Sequence, residues 1–137
     1  MIKLKTIGVV MVRKTTTKIG KPTVLSLFEK QKEFQRLVLS KLPESSVDEV
    51  STLPCDSTYW FKYHTLAMLE ELGEVLRADK RWKTHRNDRY DRDEELDELS
   101  DVFITFINMC LYSGVDAEEI CRTTIAKMST NCERITR

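Results

Sequence analysis

Apolar residues recur at helical spacing through most of the chain, and breaks in that recurrence divide it into four segments. The first begins near Ser26, where Ser26 and Glu29 have the spacing of an S-x-x-E capping box. It runs to about Lys41, ahead of Pro43, with Leu27, Phe34, Leu37 and Val38 as its apolar stripe. The second spans about Ser57 to Asp79. At about 100° per residue, Phe61, Leu66, Leu69, Leu72, Val75 and Leu76 share one broad arc, the expected core stripe. Glu71 and Glu74 fall on the far side, beside His64, Ala67 and Ala78. The third helix runs from about Arg92 to Tyr112 and is apolar almost all round between Val102 and Leu111. It stops at Ser113-Gly114, a C-cap glycine. Asp116 and Glu119 then open a fourth helix that reaches about Arg134. Residues 42–56 read as a loop and 80–90 as a polar connection. Residues 1–23 read as an extension with a candidate strand over Ile2–Val12. Helices joined by mostly short connections predict an all-α, antiparallel four-helix bundle over 24–137.

Composition sharpens this picture in three places. Only 4 Gly and 3 Pro in 137 residues favour long helices. The 22 basic and 22 acidic residues balance, which argues against a nucleic-acid partner, since that usually needs a basic excess. No apolar run approaches the roughly 20 residues that span a bilayer, and no secretory leader is evident, so a cytoplasmic protein is expected. Cys55, Cys110, Cys121 and Cys132 form no C-x-x-C pair and suit small reduced thiols in that compartment.

The balanced total hides local asymmetry. Residues 1–41 hold ten Lys/Arg against Glu29 and Glu33, a net of +8, whereas residues 88–101 hold eight acids against Arg89 and Arg92, a net of −6. Within the acid-rich part of the chain, Glu71 and Glu74 on one helix, and Glu98 and Asp101 on the next, are each three residues apart and project together. Like charges so placed repel by a few tenths of a kcal/mol, roughly, per pair. A divalent cation between neighbouring helices would offset that repulsion, and oxygen donors suit Mg²⁺ or Mn²⁺. On the third helix Glu98, Asp101, Thr105 and Asn108 form one narrow polar line along an otherwise apolar surface. Buried polar groups need partners, so the line predicts either a pocket with a metal at its mouth or a structural network.

E-x-x-E on one helix and E-x-x-D on the next resemble the all-α nucleoside triphosphate pyrophosphohydrolases, which include the MazG-like enzymes and the dimeric dUTPases. The flanking acids Glu70 and Asp97, and the late K-x-x-x-N-x-x-R of Lys127, Asn131 and Arg134, extend the resemblance over about residues 28–134. It implies Mg²⁺-dependent hydrolysis of a nucleoside triphosphate to the monophosphate and pyrophosphate, with dUTP or another dNTP favoured and Mn²⁺ able to substitute. By the same resemblance Glu71, Glu74, Glu98 and Asp101 are the metal ligands, and Glu71 or Glu74 orients the attacking water. Lys83, Lys127 and Arg134 are candidate phosphate clamps, with Lys80 and Arg86 behind them. Asn108, Gln35 and Trp82 are candidate base or ribose contacts, and His64 projects near the Glu71 face. The alternatives are a MazG-like hydrolase of purine or modified dNTPs, or a non-catalytic helical dimerisation module. More apolar surface than one small bundle can hide predicts a homodimer or homotetramer.

Overall fold

The computed structural model describes residues 22–41, 58–85 and 89–136. The expected Ile2–Val12 strand, the 42–56 loop and Arg86 lie outside the described residues. Within them the protein is all-α, a helical bundle of α1 (Val24–Leu39), α2 (Thr58–Ala78), α3 (Arg92–Tyr112) and α4 (Ala117–Ile135). One 3₁₀ turn, Lys80–Trp82, follows α2.

Local chemistry sets the ends. Helix α1 starts three residues earlier than the S-x-x-E spacing predicts, because Thr23 is the cap: its hydroxyl accepts from the Ser26 N–H at 3.1 Å, and the Ser26 hydroxyl accepts from the Thr23 N–H at 3.0 Å. A threonine and a serine complete the box, and Glu29 pairs instead with Lys32. Helix α3 ends in a Schellman arrangement, with Val115 N–H bonded to Cys110 C=O and Gly114 N–H to Leu111 C=O. Gly114 takes φ +71°, a left-handed conformation that favours glycine. Asp116 then caps α4 by accepting from the Glu119 N–H at 2.8 Å.

Helices α2 and α3 pack along their length and run antiparallel. Trp60 stacks on Tyr112, His64 meets Asn108, and Lys80 and Arg81 at the far end pair with Glu94 and Glu95. Helix α1 lies against the other end of the pair, where Gln31 bonds Asn108 and Gln35 bonds Tyr112. The core sits at this junction: Phe28, Leu39, Ile107, Cys110, Leu111, Tyr112 and Ala117, with Trp60, Phe61, Phe106, Val115 and Ile120 packed around them. Helix α4 buries Ala117 at its start and is exposed from Arg122 onward.

Two apolar stripes face mostly the other way from expectation, although Phe61 and Val75 of α2 and Val38 of α1 are half-buried and Phe61 packs on the core. On α2 the inward residues are Trp60, His64, Ala67, Glu71, Glu74 and Ala78, while Leu66, Leu69, Leu72 and Leu76 are exposed, Leu66 at 68%. On α1 the inward face is Phe28, Gln31, Gln35 and Leu39, while Leu27, Phe34 and Leu37 are exposed. The physical reason is shared. Asn108 and the Tyr112 hydroxyl are buried on α3 and need hydrogen-bonding partners, which only the polar-bearing faces of α1 and α2 supply. Leu25, Leu27, Leu66, Leu69, Ile125 and Met128 are left uncovered by the described residues.

Candidate active site

The inward turn of α2 carries its acids toward α3. Glu71 meets Glu98 and Asp101, which α3 presents one turn apart, and carboxylate oxygens of the three lie within 4.8 Å of one another. Glu71 and Glu98 are half-buried. Burial pushes the Glu71 carboxyl above the usual carboxylate range, and the negative charges of Asp101, Glu98, Glu70 and Glu74 push it in the same direction. Such a cluster suits a hard divalent cation. Oxygens on opposite sides of an ion with bonds of about 2.1 Å stand about 4 Å apart, and three protein oxygens leave positions for water and phosphate. Glu74, the fourth acid of the pattern, lies one turn along α2 and accepts from Arg77. The structure therefore gathers Glu71, Glu98 and Asp101 and places Glu74 beside them.

Two turns from Glu71 toward the other end of α2, the polar line continues into the interior. Gln31 Nε2 donates to Asn108 Oδ1 at 2.8 Å, and Asn108 Nδ2 lies 3.3 Å from His64 Nδ1. The His64 ring stacks on Tyr112 at 5.1 Å between centroids and 12° between planes. Tyr112 O–H in turn donates to Gln35 Oε1 at 2.8 Å. Thr105, between the acids and Asn108, bonds back to the carbonyls of Asp101 and Val102. Asn108 is only 3% exposed and His64 7%. Burial holds the His64 pKa down to about 4, so the imidazole is neutral at ordinary pH.

The remaining candidates lie elsewhere. Trp82 is at the opposite end of the α2–α3 pair from Asn108 and Gln35, its indole N–H bonded to the Leu76 carbonyl at 2.7 Å and its ring under the Lys83 ammonium at 5.2 Å. Lys127 and Arg134 share an open groove of about 460 Å³ on the outer face of α4 with Thr123, Thr130 and Asn131. Lys80 and Arg81 are engaged with Glu94, and with Asp79 and Glu95. Gln31 and Tyr112 are participants that periodicity alone misses. Their signal is the pair of glutamines at i and i+4, Gln31 and Gln35, which share one helix face.

Residues 32–127 match the family model described as phosphoribosyl-ATP pyrophosphohydrolase, a span of 96 residues out of 137 that includes Gln35, all four acids, Asn108 and Lys127. Neither the curated proteins nor the solved structures contain a match to the chain. An inward acidic cluster across two antiparallel helices and a family match over most of the chain point the same way: the chain belongs to the phosphoribosyl-ATP pyrophosphohydrolase family, a group related to the MazG-like all-α nucleoside triphosphate pyrophosphohydrolases.

Proposed function

We propose that the protein hydrolyses a nucleoside triphosphate to the monophosphate and pyrophosphate with Mg²⁺, Mn²⁺ being able to substitute, and that its preferred substrate is a deoxynucleotide, dUTP foremost. The observation that carries this reading is the Glu71–Glu98–Asp101 cluster facing inward across α2 and α3 in a chain of this family. A divalent cation held there would offset the charge on the phosphate oxygens and acidify a bound water. Glu71 or Glu74, whichever is not spent on coordination, would orient that water and accept its proton for in-line attack on phosphorus.

Lys83, Lys127 and Arg134 are the proposed phosphate clamps. Lys127 and Arg134 stand on the outer face of α4, a helix that meets its own chain through its first turns, around Ala117 and Ile120. Their use as clamps therefore goes with a homodimer or homotetramer, a state supported by the uncovered leucines of α2 and the apolar residues of α1 and α4. The same account places the protein in the cytoplasm, where nucleotides are turned over, with no nucleic acid as partner. Among the described residues no helix is long and apolar enough to cross a membrane.

A second reading is favoured by the family match: the description of that family names phosphoribosyl-ATP, a purine nucleotide, and a purine or modified nucleotide would take the place of dUTP. The deciding experiment is pyrophosphate release across the eight common NTPs and dNTPs, dUTP and phosphoribosyl-ATP, with and without Mg²⁺. Release from one nucleotide above the others identifies the substrate. No release from any of them leaves the helical dimerisation module as the better account.

A further inference from the structure

The buried network fixes a proton. Gln31 has its Nε2 at Asn108 Oδ1, so Asn108 turns its Nδ2 toward His64, and His64 Nδ1 receives that N–H as an acceptor. A neutral imidazole that accepts at Nδ1 carries its hydrogen on Nε2. His64 Nε2 is fully buried and, among the described residues, has no hydrogen-bonding partner. A buried donor left in that state is costly, so it calls for an acceptor beyond the described residues, which a bound ligand would supply.

We propose that His64 is a specificity-determining residue of the nucleotide site, presenting Nε2–H to an acceptor atom on the bound base, either a carbonyl oxygen or an unprotonated ring nitrogen. The inference rests on the nucleotide-hydrolysing reading above and adds to it the residue that reads the base. Position supports it. His64 lies seven residues before Glu71 on the same inward face of α2, about 10.5 Å along the axis, a reach suited to a nucleotide whose phosphates meet the acidic cluster. Chemistry supports it as well. Asn108 has an N–H directed at His64 and its carbonyl taken by Gln31, so the network hands its outward hydrogen-bonding capacity to the imidazole. The ring stacks on Tyr112, while Tyr63, 54% exposed, stands at 87° to it on the solvent side.

Two variants separate reading a base from merely supporting Asn108. His64→Asn places an acceptor where Nδ1 was and removes the ε donor, whereas His64→Gln keeps a donor at the ε position. Binding is measured by calorimetry with Mg²⁺ and α,β-methylene analogues of dUTP, dCTP, dATP and dGTP, with tripolyphosphate as the probe that lacks a base. The expected result is that His64→Asn weakens the preferred analogue about tenfold or more and flattens the preference among bases, while His64→Gln retains the preference and tripolyphosphate binds all three proteins alike. The reverse order, with His64→Asn normal and His64→Gln impaired, makes His64 a support for Asn108 and overturns the proposal. Equal weakening of every analogue and of tripolyphosphate also overturns it. Failure of the nucleotide reading itself shows differently, as wild-type protein that binds neither tripolyphosphate nor any analogue. Should His64→Asn not fold, proton NMR of wild-type His64 decides: Nε2–H shifts on addition of the preferred analogue and not of tripolyphosphate, and an unmoved signal overturns the proposal.

Discussion

Glu71 on α2 and Asp101 on α3 bring carboxylate oxygens within 4.8 Å of each other, with Glu98 inside the same limit, and the charge of Asp101 helps to push the Glu71 carboxyl upward. Like charges held this close destabilise the fold unless protonated or bridged by a cation. Glu71→Gln and Asp101→Asn should therefore raise the melting temperature of metal-free protein while lowering turnover at saturating Mg²⁺ by about a hundredfold or more. Thermal melts in chelator and pyrophosphate release in Mg²⁺ check the two halves separately. A variant with near wild-type turnover would remove that residue from the site.

Divalent cations should stabilise the wild-type protein by linkage, by about 2.7 kcal/mol when the free ion is at one hundred times its dissociation constant. Glu71→Gln and Asp101→Asn should lose most of that gain. A Mg²⁺ titration of the melting temperature reads the difference, and an equal response in all three proteins would place the ion elsewhere.

The inward facing of these acids was only half legible in the sequence. On α3, Glu98, Asp101, Thr105 and Asn108 stand out because everything around them is apolar, so their shared line is a clear signal. On α2 the leucine stripe is equally clear and leads to the wrong face. Periodicity reports that a helix has an apolar side; it carries no information on whether the same chain or another copy covers it. Leu66, Leu69, Leu72 and Leu76 are exposed within the chain, and His64, Ala67, Glu71 and Glu74 take the inside. Helix α1 repeats the lesson: Gln31 and Gln35 look like surface residues until their partners Asn108 and Tyr112 are known. The end of α3 and the start of α4 were legible because Gly114 and Asp116 act locally, through φ and one side-chain bond.

His64 should make the fold sensitive to acid. Its pKa falls from 6.5 to about 4 on burial, so between those values the unfolded chain binds a proton that the folded chain refuses. The contribution is fully present above pH 6.5, and up to about 3 kcal/mol is lost as pH falls toward 4. Urea unfolding of wild type and His64→Asn across pH 4 to 7 tests it, since the variant lacks this component. Parallel pH profiles for the two would contradict the burial of a neutral imidazole.

Asn108 and Gln31 should be coupled. Removing either leaves the other's buried amide without its 2.8 Å partner, so Asn108→Ala or Gln31→Ala alone should cost about 1–3 kcal/mol of stability. The double variant should cost less than their sum, and a double-mutant cycle by denaturant unfolding measures the difference. Strict additivity would show that the bond is not formed in solution. Asn108→Ala should also lower kcat/KM for the preferred nucleotide and flatten preference among bases, because it removes the group that sets the His64 tautomer.

The uncovered leucines of α2 should lie in a subunit interface. Leu69→Lys, at a position 61% exposed within one chain, should leave the fold of the protomer intact and shift a dimer or tetramer toward monomer. Sedimentation at micromolar concentration distinguishes them. A wild-type protein that sediments as a monomer would contradict an assembled site and leave Lys127 and Arg134 away from the acids.

If the acidic cluster across α2 and α3 cleaves between the α and β phosphates of a nucleotide with Mg²⁺, pyrophosphate release must depend on both the ion and Asp101. Release by wild type and Asp101→Asn from the nucleotide panel, with Mg²⁺ and with chelator, decides this. Release by the wild type with Mg²⁺, preferring one nucleotide and lost both in chelator and in the variant, is the predicted result. Release that persists undiminished in chelator or in Asp101→Asn, or no release from any nucleotide with Mg²⁺, would contradict it.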